Sequence, residues 1–364
     1  MVTHHHPQAG RIFLLLSLLL ICLGTPSRAL SQTPPSPGGS GPTLEEARQL
    51  RDAGRLPESA SAYQEFVAAH PDLWQARYEF AQVLMALKQF DGAERQLQSV
   101  LVASPREEAA WARLGQVYLL KNDMASAERS LKIARDLNPK DPGVRYNLGR
   151  LYEMQARDPE AVAEYSAFID IAGADPRVVG VRRRLAAYYE SEKKLVEAVA
   201  QYRALVELSP QNVKYHQLVA DRLYLQGAYD EALVEYHKIL AMDPNNAPAH
   251  FNVGFIAKMK GNVDEAEREL KIADTLAPGS TKTLYQLGAV EFERGNYEVA
   301  ATYFEKVVGA DPDHPQAHYH YSRTLAKLGR VEEARRQIEI HKEVLKKTEA
   351  NKNVPNSMET TPAD

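Results

Sequence analysis

The chain has 364 residues, 44% hydrophobic and 25% charged, with a formal net charge of −4. That composition lies near the soluble average and excludes a wholly disordered chain or a polytopic membrane protein. The mild acidity offers no basic footprint for non-specific nucleic-acid binding, and the length admits either two or three domains or one elongated array.

Arg11 is followed by IFLLLSLLLICL, an apolar run from Ile12 to Leu23 that breaks at Gly24 and Pro26 and ends in Ser27-Arg28-Ala29. Such a run is too short to span a bilayer as a helix but suits the apolar core of a secretory signal. Residues 1–29 are therefore read as a signal peptide cleaved near Ala29, with an uncleaved anchor as the alternative, and the protein as exported, periplasmic or secreted. Cys22, the only cysteine, falls within that segment, so the remainder can fold in an oxidising compartment without mispairing. The remainder carries 42 basic and 48 acidic residues, a charge of −6. Residues 30–43, LSQTPPSPGGSGPT, read as a flexible linker, and residues 350–364, ANKNVPNSMETTPAD, as a disordered tail.

Between these ends the chain repeats itself. WARLGQVYLLKNDMASAERSLKIARDLNP (111–139) and HFNVGFIAKMKGNVDEAERELKIADTLAP (250–278) align without a gap. Prolines at 71, 105, 139, 210, 244, 278 and 312 are spaced by 34 residues, except that 139 to 210 spans 71. Nine units begin at 40, 74, 108, 142, 179, 213, 247, 281 and 315. Within each, position 8 is small, as in Ala81, Gly115, Gly149 and Gly288. Position 20 is alanine from Ala93 to Ala334, with Ser59 in the first unit, and position 24 is bulky, as in Leu97, Tyr165 and Phe304. Small residues at positions 8 and 20 let two antiparallel helices approach, while position 24 is expected to fill the space between one helix pair and the next. Gly227, Gly261, Gly295 and Gly329 mark the turn after the first helix.

This small-large-small pattern resembles the tetratricopeptide repeat family, whose consensus is matched in order by Trp111, Leu114, Gly115, Tyr118, Ala127, Leu131, Ala134 and Pro139. The resemblance covers residues 44–349 and implies an all-α fold, a right-handed superhelical solenoid of antiparallel helix pairs. Three departures stand out. The first unit is weak, with Glu46 at an apolar position, and suits an N-terminal cap. The fourth is three residues longer, with Gly173 where proline belongs, so its second helix or following turn is expected to be displaced. The last lacks its proline and ends in the charged helix RVEEARRQIEIHKEVLKK, a C-terminal cap.

The resemblance also implies that the first helices line a concave groove, with positions 2, 5, 6, 9, 12 and 13 facing or bordering it. That register gives an arginine-rich middle, Arg113, Arg150, Arg183 and Arg184, and an aromatic C-terminal half, Phe251, Phe255, Tyr285, Phe292 and Tyr319. Tyr78, Tyr146, Asn147, Asn252 and His320 lie among them. Relatives with asparagines at position 6 grip a peptide backbone, which is what the resemblance implies for Asn147 and Asn252; arginines can hold a carboxylate or phosphate, and aromatics add contact area. Glu153, Glu190 and Asp221 border the same face and can pair with the arginines instead. No unit combines lysine at position 5 with asparagine at position 9, so the two-carboxylate clamp of chaperone-binding relatives is not implied.

The expected function is a non-enzymatic interaction scaffold that binds an extended peptide or partner segment, with no cofactor. No Gly-rich phosphate loop, HExxH, CxxC or GxSxG occurs. A metal- or small-molecule-binding protein, or an accessory subunit of an enzyme complex, is the alternative. HPQAHYHYS (314–322) places three histidines within seven residues, two at i,i+4. His318, however, occupies position 4, as do His216, His250 and Trp111, which marks it as a repeat residue in helix packing.

Overall fold

The computed structural model describes residues 41–352. The expected signal peptide 1–29 and nearly all of the linker 30–43 lie outside the described residues, as does the tail from 353. Among the described residues there are eighteen helices and no strand, and no helix is long and apolar enough to cross a membrane. The chain divides into two compact units, the first ending at Leu87 and the second beginning at Lys88, in the turn of the second repeat.

The first unit holds α1 (Leu44–Asp52), α2 (Leu56–Ala69) and α3 (Trp74–Ala86). Thr43 opens α1 with a capping box, its side chain accepting from the Glu46 amide while Glu46 accepts from the Thr43 amide. Glu46 is thus a cap partner, which explains a charge at an apolar consensus position. Ser59, in the alanine slot, is buried and donates to the Ala47 carbonyl at 2.8 Å.

The second unit runs α4 (Phe90–Ala103), α5 (Glu108–Leu120), α6 (Met124–Leu137), α7 (Pro142–Met154), α8 (Asp158–Ala172), α9 (Arg177–Ser191) and α10 (Leu195–Leu208). It continues with α11 (Val213–Leu225), α12 (Tyr229–Met242), α13 (Ala247–Met259), α14 (Val263–Leu276), α15 (Thr281–Glu293), α16 (Tyr297–Ala310), α17 (Pro315–Lys327) and α18 (Val331–Lys352). Each helix packs on the next, most closely within a repeat. Successive first helices also touch, α5 on α7, α13 on α15 and α15 on α17, so the face they form is the inner one of this stack.

Within a repeat the contact is made at backbone distance. A Cβ on Gly115 would lie 2.5 Å from Leu131, one on Gly149 2.5 Å from Tyr165, and one on Gly288 2.8 Å from Phe304. Position 24 therefore packs on position 8 of its own repeat, rather than mainly between repeats as the pattern suggested. The alanines at position 20 complete the seam, with Ala93, Ala127, Ala198, Ala232, Ala266 and Ala300 fully buried.

Three residues join the helices of each pair, and position 15 is left-handed every time. Glycine supplies it at Gly54, Gly227, Gly261, Gly295 and Gly329, but Lys88, Asn122, Ala156 and Lys193 adopt φ of 55–62° without that freedom.

Four residues join one repeat to the next, and this holds even at the insertion. The extra residues lengthen α8 to 15 residues and α9 to 15 rather than 13, so the turn 173–176 keeps its length. At most other joints the side chain at position 4 anchors the turn by donating to the carbonyl of the proline six residues earlier, Leu284 after Pro278 being the exception. Trp111 Nε1 reaches Pro105 at 2.9 Å, Arg145 Nε reaches Pro139 at 3.3 Å, and His216, His250 and His318 reach Pro210, Pro244 and Pro312 at 2.9, 3.0 and 2.9 Å. The same side chains bridge to position 23 of their own second helix: Arg145 to Glu164 at 2.8 Å, His216 to Glu235 at 2.6 Å, His250 to Glu269 at 2.7 Å and His318 to Gln337 at 2.6 Å. Burial raises the Glu235 carboxyl, and hydrogen bonds from Lys238 and His216 overcome this to leave its pKa lowered. After the insertion, Arg182 still reaches Gln201 at 3.1 Å, but its buried Nε has no partner. Pro176 has become the first capping residue of α9, so its carbonyl no longer stands where the anchor expects it.

Three outcomes follow from these contacts. Ala156→Gly is expected to raise stability by about 1 kcal/mol in urea unfolding, because the residue already sits at φ 55°. His250→Leu leaves Glu269 buried and is expected to cost about 1–3 kcal/mol. Adding Glu269→Tyr should recover most of that loss, since Leu284 and Tyr303 fill the same two positions in the next repeat. The third concerns Glu108 at the start of α5, where one carboxyl oxygen is buried without a partner. Burial, with Asp141 adding, pushes its pKa from 4.5 to about 7. The folded chain thus holds a proton there that the unfolded chain releases, and this stabilisation is lost as pH rises through about 7. Glu108→Gln is expected to raise the thermal midpoint by about 1–2 °C at alkaline pH and not under acid conditions.

Candidate functional site

The first helices of the second unit carry nearly all the groove candidates, and the structure separates them into three sets. Tyr146 belongs to the core. It is 8% exposed, lies 5.6 Å from the Phe168 ring, and the Arg177 guanidinium covers it at 4.7 Å. The extra helical residues of α9 bring Arg177 to this position, an effect that the repeat register alone does not foresee.

The charged middle is partly neutralised. Arg184 pairs with Glu153 at 3.3 Å, and Arg113 donates to Gln116 at 3.0 Å. Arg222, at position 10 and outside the expected stripe, pairs with Glu190 at 2.6 Å. Tyrosines at position 24 reach through the seam to the same acids: Tyr165 to Glu153 at 2.7 Å, Tyr202 to Glu190 at 2.9 Å and Tyr236 to Asp221 at 2.9 Å. Burial and Glu190 push Tyr202 up to about 12, so these phenols remain protonated donors at neutral pH. Arg150 and Arg183 make no ion pair among the described residues, and Arg183 is exposed. The amides of Asn147 and Asn252 are half-buried and make no side-chain hydrogen bond among the described residues.

The aromatic half holds two groups of contacting rings. Phe251 and Phe255 stack at 6.1 Å, and Tyr224 meets Phe255 at 6.1 Å. Tyr285 lies 5.2 Å from His314 and 5.7 Å from His320, and Tyr319 lies 5.4 Å from His320. Phe251, Phe255, Tyr285 and Phe292 are half-buried, while Tyr319 is 40% exposed. Three cations or amides that sequence reasoning did not select stand among these rings: Lys258 at position 12, Gln286 at position 6 and Arg323 at position 9. All three occupy the expected stripe, so the register alone could have found them. A further signal was missed at position 13, where Leu120, Met154, Leu225 and Met259 recur as exposed apolar residues along the rim.

The histidine cluster resolves into packing. His318 is 4% exposed with both ring nitrogens engaged, and His314 caps α17, its Nδ1 accepting from the Ala317 amide at 3.2 Å. His320 faces the rings, and its pKa is lowered by burial first, then by Arg323 and Lys258.

Comparison with known proteins finds sequence relatives, solved structures and a family. A general transcriptional corepressor of Schizosaccharomyces pombe, ssn6, is 29% identical over 132 residues, covering 34% of this chain and 12% of that protein. The bovine BBSome complex member BBS4 is 29% identical over 106 residues, covering 29% of this chain and 20% of that protein. This chain thus spans only a small part of the length of either. Among solved structures, a MamA protein is 18% identical, with a TM-score of 0.44, covering 51% of this chain and 99% of its own. MamA of Desulfovibrio magneticus RS-1 is 17% identical, with a TM-score of 0.44 and coverages of 48% and 97%. Tetratricopeptide repeat profiles match residues 44–88, 78–142, 122–176, 223–287 and 285–339, passing over residues 177–222 after the insertion. With its paired helices, close seams and 34-residue period, the chain belongs to the tetratricopeptide repeat family.

Proposed function

We propose that the protein is a non-enzymatic interaction scaffold whose inner face binds an extended segment of a partner protein. The observation that supports this most is the ring set from Phe251 to Tyr319, which stays partly open to solvent although aromatic side chains of that size are ordinarily covered. Asn147 and Asn252 add amides that can both donate to and accept from a peptide backbone, and neither is committed to a neighbour. Family membership favours the same reading, since helix-pair repeats present extended binding surfaces.

The same proposal places the protein outside the cytoplasm, in envelope or secretion-related assembly, after removal of residues 1–29. The apolar run Ile12–Leu23 and the small residues up to Ala29 support that location.

The test is affinity capture from an envelope extract with the processed chain and with its Phe251→Ala/Phe255→Ala variant. Removal of two central aromatics is expected to weaken partner capture at least about 30-fold, as for hot-spot side chains, with helical circular dichroism unchanged. Equal capture by the variant would remove the aromatic face from the binding surface.

A further inference from the structure

We propose that Lys258, His320 and Arg323 form an anion site within the aromatic face, and that it takes a carboxylate side chain flanked by an apolar residue in the partner's extended segment. The inference rests on the groove reading and specifies its chemistry.

Lys258, on α13, is the first element of the argument. Its side chain is only 20% exposed, yet its Nζ donates to the neutral Gln286 amide oxygen at 3.1 Å. The nearest carboxylate, Glu293, stands at 4.0 Å and is itself 47% exposed. A shielded ammonium is ordinarily held by a carboxylate in contact, and one bond to an amide leaves two of its donors unspent. Burial accordingly lowers the Lys258 pKa.

Arg323, on α17, is the second. Its guanidinium lies 5.0 Å from the centre of the Phe292 ring and 5.7 Å from that of Tyr319, and it makes no ion pair among the described residues. Stacking uses the faces of a guanidinium and leaves its N–H edge free for a planar, two-oxygen acceptor.

Phe292 and Glu293, adjacent on α15, tie the two together, with Arg323 at 5.0 Å from the Phe292 ring centre and Lys258 Nζ at 4.0 Å from Glu293; burial and the same two charges lower the His320 pKa. The local balance is then two fixed cations against Glu293, an excess of one positive charge. A single carboxylate neutralises it. Among the other cations of the face, Arg184 and Arg222 already contact Glu153 and Glu190, while Arg150 and Arg183 are unpaired among the described residues but stand apart from the aromatic rings. Arg183 is exposed and hydrated, so it gains less from an anion than shielded Lys258 does. Phe251 and Phe255, on the same helix as Lys258, offer the apolar contact that a flanking side chain requires.

Two short fluorescein-labelled peptides test this by fluorescence anisotropy on the full chain, one alternating aspartate and phenylalanine, the other asparagine and phenylalanine. The acidic peptide is expected to bind about tenfold tighter, and raised salt should narrow the difference. Lys258→Gln/Arg323→Gln should erase the preference while leaving the asparagine peptide's affinity unchanged; Arg183→Gln should leave the preference intact. Arg323→Gln alone, at an exposed position, should reduce the preference without touching the fold. Equal affinity for both peptides, a preference that survives the double variant, or no binding of the acidic peptide would overturn the site. In the first case, binding that still requires Phe251 and Phe255 would leave the groove reading standing.

Discussion

The contact on which the second unit depends is the close approach of two helices at positions 8 and 24. A bulky Leu131, Tyr165 or Phe304 sits against the bare backbone of Gly115, Gly149 or Gly288, at a distance where an added methyl group collides. Dispersion and apolar burial are largest when surfaces meet without a gap, so this seam supplies much of each pair's cohesion. It also dictates the rest of the hairpin. Helices that touch so closely must turn in three residues, and such a turn requires a left-handed residue at position 15 even where the chain places alanine or lysine there.

The joint between repeats obeys a different constraint, the satisfaction of polar groups. At most joints the proline carbonyl takes a donor from position 4, which is tryptophan, arginine or histidine there, while Leu284 leaves the Pro278 carbonyl without one from that position. Three chemically unlike side chains share a single geometric duty because each presents an N–H at a similar reach. The insertion in the fourth repeat tests the arrangement. Lengthening α8 and α9 preserves the turn and the apolar seam, and the cost falls on one guanidinium nitrogen of Arg182. Helical phase is more expensive to break than a single hydrogen bond is to lose.

Once seam and joint are satisfied, the inner face is free to vary. Part of its charge serves the seam itself: position-24 tyrosines reach Glu153, Glu190 and Asp221, and arginines close over two of these acids. What this face leaves unpaired is therefore narrower than the stripe of groove positions. It comprises the free amides of Asn147 and Asn252, the exposed arginines, and above all the aromatic and cationic end of the face.

The repeat period, the pairing of helices, the small seam positions and the structural role of His318 were all legible in the sequence, because a fixed period forces equivalent residues into equivalent environments. Glu46 as a cap partner and Tyr146 as a core ring under Arg177 were not, and pairing between the arginines and Glu153 was legible only as an alternative, without the partner being fixed. Each depends on a neighbour from another helix or on a local turn, and periodicity carries no information about which of two adjacent charges finds the other. The sequence by itself determined the fold, since apolar spacing and residue size act locally and recur nine times. Only the tertiary structure decided which polar groups on the inner face remain unspent, since that is settled by side-chain reach across helices, where a few ångströms separate a satisfied ion pair from a charge awaiting a partner.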